Sequence, residues 1–320
     1  MTDPAQKSQQ QNSPPRSSLH IGRLLLKNPV LTASGTFGYG SEAAPQTDIS
    51  LLGAIVGKSL TPEPRTGNEP PRLKETHCGL LNSIGLQNDG ILHYIENILP
   101  RMLDLNDSVI TSIAGACVED YIFCAEKLRR TKTSGIEVNL SCPNVEKNGK
   151  TFAADPAMVY QVSRAVTAAT PDCPIIVKLT PNTDRIVESA LAAQEAGVDG
   201  LCVANTFLGM AVDIHQRRPV FRNRVAGYSG PAIKPLALRL VWDVCDAVRT
   251  PVIASGGIAC LDDAMEFMMA GASAVQVGTA SFVDPSRTTG LPRAISDFLK
   301  RYDIYDIQTI IGSAKEGSLG

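Results

Sequence analysis

The sequence has no surplus of either charge: 30 Lys and Arg stand against 32 Asp and Glu, and the basic residues are dispersed along the 320 positions. Such a balance builds no surface for phosphate backbones or anionic lipids, so neither nucleic acid nor a membrane is expected as a partner. The eight cysteines, at 78, 117, 124, 142, 173, 202, 245 and 260, include no C-x-x-C pair and no zinc or ferredoxin spacing. That argues against a metal or iron–sulfur centre held by this chain. Without a signal peptide, and with several cysteines inside apolar runs, reduced thiols in a cytoplasmic protein are the economical reading. No apolar run is long enough to cross a bilayer, so the protein reads as soluble. No G-x-G-x-x-G opens a helix after a strand, which leaves a Rossmann nicotinamide site without support. Histidine is scarce too, with residues 20, 77, 93 and 215 in the tail, in loops or at a helix start, where a structural or surface role is the default.

What is present is a repeating unit. After a polar tail over 1–18, rich in Gln, Ser and Pro and expected to be disordered, short apolar runs alternate with segments of helical period. The runs are 29–35, 54–59, 109–115, 136–142, 175–181, 200–206, 251–257 and 274–279. Helices are expected in the forties and over 90–104, 118–132, 155–169, 183–196, 232–249, 261–270 and 285–301, that over 155–169 opened by an Asp155 cap and Pro156. Eight strand–helix units in about 250 residues match a closed (β/α)8 (TIM) barrel of the α/β class. One domain over 19–320 is therefore expected, a doubly wound sheet being the competitor. Long connections follow strand 2 (60–89), strand 4 and strand 6 (207–231), and long loops in compact domains are usually functional.

The last residues of the runs carry the chemistry. Ser34 and Gly35, Lys58 and Ser59, Ser112, Asn139 and Cys142, Lys178, Asn205 and Thr206, Gly256 and Gly257, and Gly278 and Thr279 would converge on one mouth, because parallel strands all end on the same face. A lysine at a strand end is by itself more often a surface residue. Lys58 and Lys178, however, lie within apolar strands, where a buried ammonium requires an anion or electron-rich acceptor. The glycines of units seven and eight, with Thr279, suit a phosphate held on backbone N–H groups, on a cofactor or a substrate. A thiol's reference pKa of about 8.5 lets Cys142 serve as nucleophile or base. With no histidine partner apparent, general base is the better role, the flanking asparagines serving a planar polar substrate.

Taken together, "ASGTFG" (33–38), "GKSLTPEPRTGN" (57–68), "NSIGLQNDG" (82–90), "EVNLSCPN" (137–144), "VKLTPN" (177–182), "NTFLGM" (205–210) and "SGPAIKPLALR" (229–239) resemble the class 1 dihydroorotate dehydrogenases, from about residue 21 to the end. The last of these looks like the 1B type. The resemblance implies an FMN barrel that oxidises (S)-dihydroorotate to orotate in pyrimidine biosynthesis, with Cys142 removing the C5 proton while a hydride leaves C6 for the flavin. It implies substrate contacts from Lys58, Asn82, Ser83, Ile84, Gly85, Leu86, Asn139, Asn144, Asn205 and Thr206. Flavin contacts would come from Ser34, Lys58, Ser59, Ser112, Asn139, Lys178, Ala204, Gly230, Gly256, Gly257, Gly278 and Thr279. It implies, further, a homodimer and a partner subunit with FAD and a [2Fe–2S] centre that passes electrons to NAD.

The sequence departs from the family pattern in places. Ser112 stands where the family usually has Asn, His77 and Cys78 replace a Pro-Ser, Asp89 replaces a proline, and the tail before residue 19 is extra. Two other readings fit the same barrel: a dihydropyrimidine dehydrogenase-type domain, and a non-catalytic FMN barrel relaying electrons.

Overall fold

The computed structural model describes residues 15–141 and 154–316. Eight parallel strands form one sheet: β1 (Val30–Thr32), β2 (Ile55–Val56), β3 (Val109–Ile113), β4 (Gly135–Asn139), β5 (Ile175–Lys178), β6 (Gly200–Val203), β7 (Val252–Ser255) and β8 (Ala274–Val277). Each pairs with its neighbours in chain order, and β8 returns to β1. The remaining seam, β1 to β2, is closed by a bridge between Leu31 and Ala54 and by the Thr32 side chain. Its hydroxyl accepts from Val56 N at 2.8 Å and lies 3.1 Å from Val56 O. A side chain thus completes the ladder where β2 is too short to do so. The result is the (β/α)8 barrel that the alternation of runs predicts.

Every strand ends two or three residues before its apolar run does. The polar residues at those ends leave the ladder and turn across the mouth. Helices pack outside: α1 (Leu99–Leu105), α2 (Val118–Leu128), α3 (Pro156–Ala169), α4 (Ile186–Glu195), α5 (Lys234–Ala247), α6 (Leu261–Met269) and α7 (Pro285–Arg301). Asp155 caps α3 as expected, accepting from Ala157 N at 3.1 Å with Pro156 in the first turn. In the forties the chain forms only turns and a single 3-10 turn, Ile49–Leu51. Residues 1–14 and the 142–153 part of the connection after β4 lie outside the described residues, while Arg16 bridges to Asp306.

Alternation inside the strands separates two environments. Outward residues such as Ile136, Val138, Ile175, Val177, Val275 and Val277 pack on the helices. At one end of the interior, Leu31, Val56, Ile110, Ile176, Cys202, Ile253 and Ala274 meet the hairpin Leu19–Ile21/Leu24–Leu26, whose four leucine and isoleucine side chains at alternating positions plug the barrel. Asp199 ties this plug down: it accepts from Arg23 N, Nε and Nη2 and from Ile175 N, at 2.8 to 3.0 Å. Burial alone would raise the Asp199 pKa; the Arg23 guanidinium and the two backbone N–H groups overcome that and hold it below the usual carboxylate range.

A folded pKa below the unfolded one gives stability that is present above the unfolded value and lost as pH falls through the folded one. Asp199→Ala should therefore cost about 1.5–3 kcal/mol, as for hydrogen bonds to a charged group. Urea unfolding at neutral pH and again at the acid end should show that cost shrinking with acidification.

The long connections after β2 and β6 are not loose. Leu73–Thr76 and Gly79–Asn82 from the first join Phe207–Met210 and Val225–Ser229 from the second in a four-stranded antiparallel sheet. Leu81, Phe221 and Ala226 form its small core.

Candidate active site

One step from the apolar layer toward the strands' C-terminal ends, the barrel interior turns polar. Lys178, on β5, is buried, with 4% of its surface exposed. Its ammonium donates to Gln276 Oε1 on β8 at 3.0 Å and lies 3.9 Å from Glu137 Oε1 on β4. Gln276 Nε2 donates to the other Glu137 oxygen at 2.7 Å, and Ser112 Oγ on β3 donates to Oε1 at 3.1 Å. From Ser112 the network continues through Ser59 (2.9 Å) to Ser34 (3.1 Å), while Asn139 Nδ2 donates to Ser59 at 3.0 Å. Asn205 Nδ2 donates to Asn139 Oδ1 at 3.2 Å, and Ser141 N donates to the same oxygen. Of the residues picked out from the sequence, Ser34, Ser59, Ser112, Asn139, Lys178 and Asn205 thus share one hydrogen-bonded array. Lys58 adjoins it: a Cβ on Gly35 would sit 3.4 Å from its Nζ.

Burial strips water from the Lys178 ammonium and by itself lowers its pKa, but the Cys202 and Glu137 side chains opposite outweigh this and leave the lysine above its ordinary range. Burial pushes the Cys202 thiol up to about 12, so at neutral pH it is a thiol, donating to Gln276 Oε1 at 3.2 Å. The compensating charge is then the Glu137 carboxylate. Neither Glu137 nor Gln276 stands out among the strand-end residues, because both lie within strands buried on both faces, which read as continuous runs. The available signal was a carboxylate in "GIEVN" and an amide in "AVQV", each in an otherwise apolar strand.

A second group assembles where units six to eight end. Thr279 Oγ1 donates to Ser229 Oγ at 2.8 Å, next to Gly230. Gly257 has φ +76°, and a Cβ there would lie 2.7 Å from the backbone of Lys234, the first residue of α5. Any side chain would be strained and would collide, so the backbone at this junction stays bare against a helix N-terminus. Gly256 precedes it, and Gly278 packs near Ala33 and Thr36. Ala204 is buried, its N–H donating to Ser255 O at 3.0 Å.

The substrate residues expected after β2 are held by the antiparallel sheet. Asn82 Nδ2 donates to Gly227 O at 3.2 Å, and the Thr206 hydroxyl also packs on Gly227. Asn68 fastens the following turn: its amide donates to Ser83 O and Oγ at 3.1 Å and its N–H to Ile84 O at 2.9 Å. Gly85, at φ +75°, would drive a Cβ to 2.5 Å from Asn68, and the Leu86 carbonyl accepts from Asn88. A cleft of about 250 Å³ lined by Asn68, Ser83 and Arg222 flanks this turn. Cys142 and Asn144 lie outside the described residues.

The buried ammonium of Lys178 suits an electron-accepting group, and the bare backbone of Gly257 at the start of α5 suits a phosphate. Among the described residues no three His, Cys, Asp or Glu side chains gather as a metal set, and no helix is long and apolar enough to cross a membrane.

Architecture and mouth together define a (β/α)8 barrel with a polar site at the C-terminal ends of its strands. The family model for dihydroorotate dehydrogenase matches residues 18–299. The chain is 48% identical over 297 residues to the dihydroorotate dehydrogenase B (NAD(+)), catalytic subunit, of Thermoanaerobacter sp. (strain X514), covering 93% of this chain and 98% of that one. It is 47% identical over 300 residues to the protein of the same name from Geotalea uraniireducens (strain Rf4), again 93% and 98%. Against that from Alkaliphilus oremlandii (strain OhILAs) it is 48% identical over 294 residues, 92% and 97%. The chain belongs to the dihydroorotate dehydrogenase family.

Proposed function

We propose that this chain is the catalytic subunit of a dihydroorotate dehydrogenase, oxidising (S)-dihydroorotate to orotate in de novo pyrimidine biosynthesis with FMN as its cofactor. The observation that carries the reading is the array in which Ser34, Ser59, Ser112, Asn139, Lys178 and Asn205, from strand ends far apart in the chain, meet around a buried ammonium. In this reading Lys178 faces the flavin pyrimidine, and Ser34, Lys58, Ser59, Ser112, Asn139 and Ala204 line the ring. Gly230, Gly256, Gly257, Gly278 and Thr279 surround the ribityl phosphate. Lys58, Asn82 through Leu86, Asn139, Asn144, Asn205 and Thr206 hold the dihydropyrimidine and its carboxylate. Bound FMN supplies the acceptor for the hydride that leaves C6. Cys142, as thiolate, takes the C5 proton, so the C5–C6 double bond forms as the two are lost.

The electrons then pass to NAD through a partner subunit bearing FAD and a [2Fe–2S] centre, the chain itself forming a homodimer in the cytoplasm. The relatives' printed name, an NAD(+) enzyme with a catalytic subunit, supports NAD as acceptor and a second subunit. The purified protein should be yellow, and anaerobic dihydroorotate should bleach it where dihydrouracil does not. A flavin that stays oxidised with dihydroorotate, or is bleached by dihydrouracil instead, overturns the reading.

A further inference from the structure

Counting hydrogens gives the buried array a direction. A serine hydroxyl has one proton. Ser112 donates its own to Glu137 Oε1, so in the Ser59–Ser112 contact Ser59 is the donor. Its proton spent, Ser59 accepts from Ser34 and from Asn139 Nδ2. The run Ser34→Ser59→Ser112→Glu137 therefore terminates on the carboxylate, while Gln276 Nε2 occupies the second carboxylate oxygen. Gln276 cannot be flipped without setting its NH2 against the ammonium, so its oxygen faces Lys178. The amide is a spacer. It takes one of the ammonium's three N–H donors at 3.0 Å and keeps the carboxylate at 3.9 Å. Among the described residues no other hydrogen bond to this ammonium forms.

We propose that Glu137 and Gln276 are positioning residues for Lys178: the carboxylate, restrained by Ser112 and Gln276, sets how much of the lysine's positive charge acts on the cofactor. This rests on the flavin reading above. With the carboxylate held just beyond hydrogen-bond distance the charge is partly balanced, and reduction of the ring, which adds negative charge, draws on the remainder. Ser112, in the place where the resemblance leads one to expect an asparagine, contributes as a donor to that carboxylate.

The test is the flavin midpoint potential of the holoprotein in two variants with opposite expected signs. Glu137→Gln removes the counter-charge at constant volume, and the serine run can reverse to accept from the new amide, so no buried donor is stranded. Reduced flavin should then be favoured over oxidised flavin at least tenfold more than in the parent, a rise of about 30 mV for a two-electron couple. Gln276→Leu removes the spacer, lets the carboxylate close on the ammonium, and should lower the potential by a similar amount. General loosening of the site has no reason to give opposite signs. Shifts of one sign in both, or none in either, overturn the proposal, and if flavin is retained and still bleached by dihydroorotate the proposed function survives that failure. A parent protein that neither holds flavin nor reacts with dihydroorotate removes both. Should Glu137→Gln shed its flavin, Ser112→Ala carries the test. Withdrawing one donor from Glu137 frees it toward the lysine and lowers the potential, and an unchanged potential overturns the proposal.

Discussion

Replacing Cys142 with alanine should leave the flavin bound and slow its reduction by dihydroorotate about 10²–10⁴-fold, the usual worth of a positioned general base. The variant removes the sulfur proposed to take the C5 proton and none of the groups proposed for the flavin, so binding and chemistry separate. In the proposed mechanism the thiolate is the active form, so reduction in the parent protein should accelerate with pH toward the thiol's pKa, for which the reference value is about 8.5. Anaerobic stopped-flow absorbance at several pH values measures both effects. A variant that is reduced at the parental rate would move the proton to another acceptor. The approach to this residue is firmly built: the Asn139 carbonyl accepts from Tyr121 OH at 2.9 Å, Leu140 is buried, and Ser141 N donates to the Asn139 side chain.

Glu137→Leu should destabilise the holoprotein by about 3–5 kcal/mol at neutral pH, the range for removing one partner of a buried ion pair. Leucine approximates the volume but leaves the Lys178 ammonium without a counter-charge, Gln276 Nε2 without an acceptor and Ser112 without its carboxylate. Since the folded lysine's pKa is raised, the pair's contribution is complete below the unfolded lysine pKa and fades only as pH climbs through the folded value. The loss should therefore be full at pH 7 and diminish under strongly alkaline conditions. Urea midpoints, compared at unchanged slope, give the answer, and a loss below about 1 kcal/mol would mean that water or rearrangement solvates the lysine. Exposed pairs such as Arg239–Asp243 offer the contrast, being worth little in high dielectric.

The strands were legible because parallel strands covered on both sides must be apolar almost throughout, and eight such runs separated by helical periods leave few topologies. The same property hid their inward chemistry. In "GIEVN" and "AVQV", continuous burial erases the alternation that would mark Glu137 and Gln276 as facing the interior. Single polar residues at run ends, such as Ser34, Ser59 and Asn205, were readable as a site because polarity there is conspicuous against an apolar run. The partnership of the two long connections was not readable. Leu73–Thr76 is fully exposed and Phe207–Met210 only half-covered, so neither carries a strong strand pattern, and their pairing through Val225–Ser229 and Gly79–Asn82 is a contact between segments well over a hundred residues apart. Ser112 shows the remaining limit. Its place in the sequence marked it as standing where the family has asparagine, and nothing there showed that its hydroxyl links Ser59 to Glu137.

That shared antiparallel sheet couples the two rims of the mouth to one another. Asn82 rides on one excursion and Gly227 on the other, joined by both a side-chain bond and the strand ladder. To widen the opening from one side only, the chain would have to unzip a sheet. To widen it by swinging the sheet as a plate, it must carry the turn at 82–86 along with the rim that bears Thr206. In the proposed reading, admission of a small ring would involve both excursions together, and a disturbance as remote as Leu73 is connected through the strand ladder to Asn82.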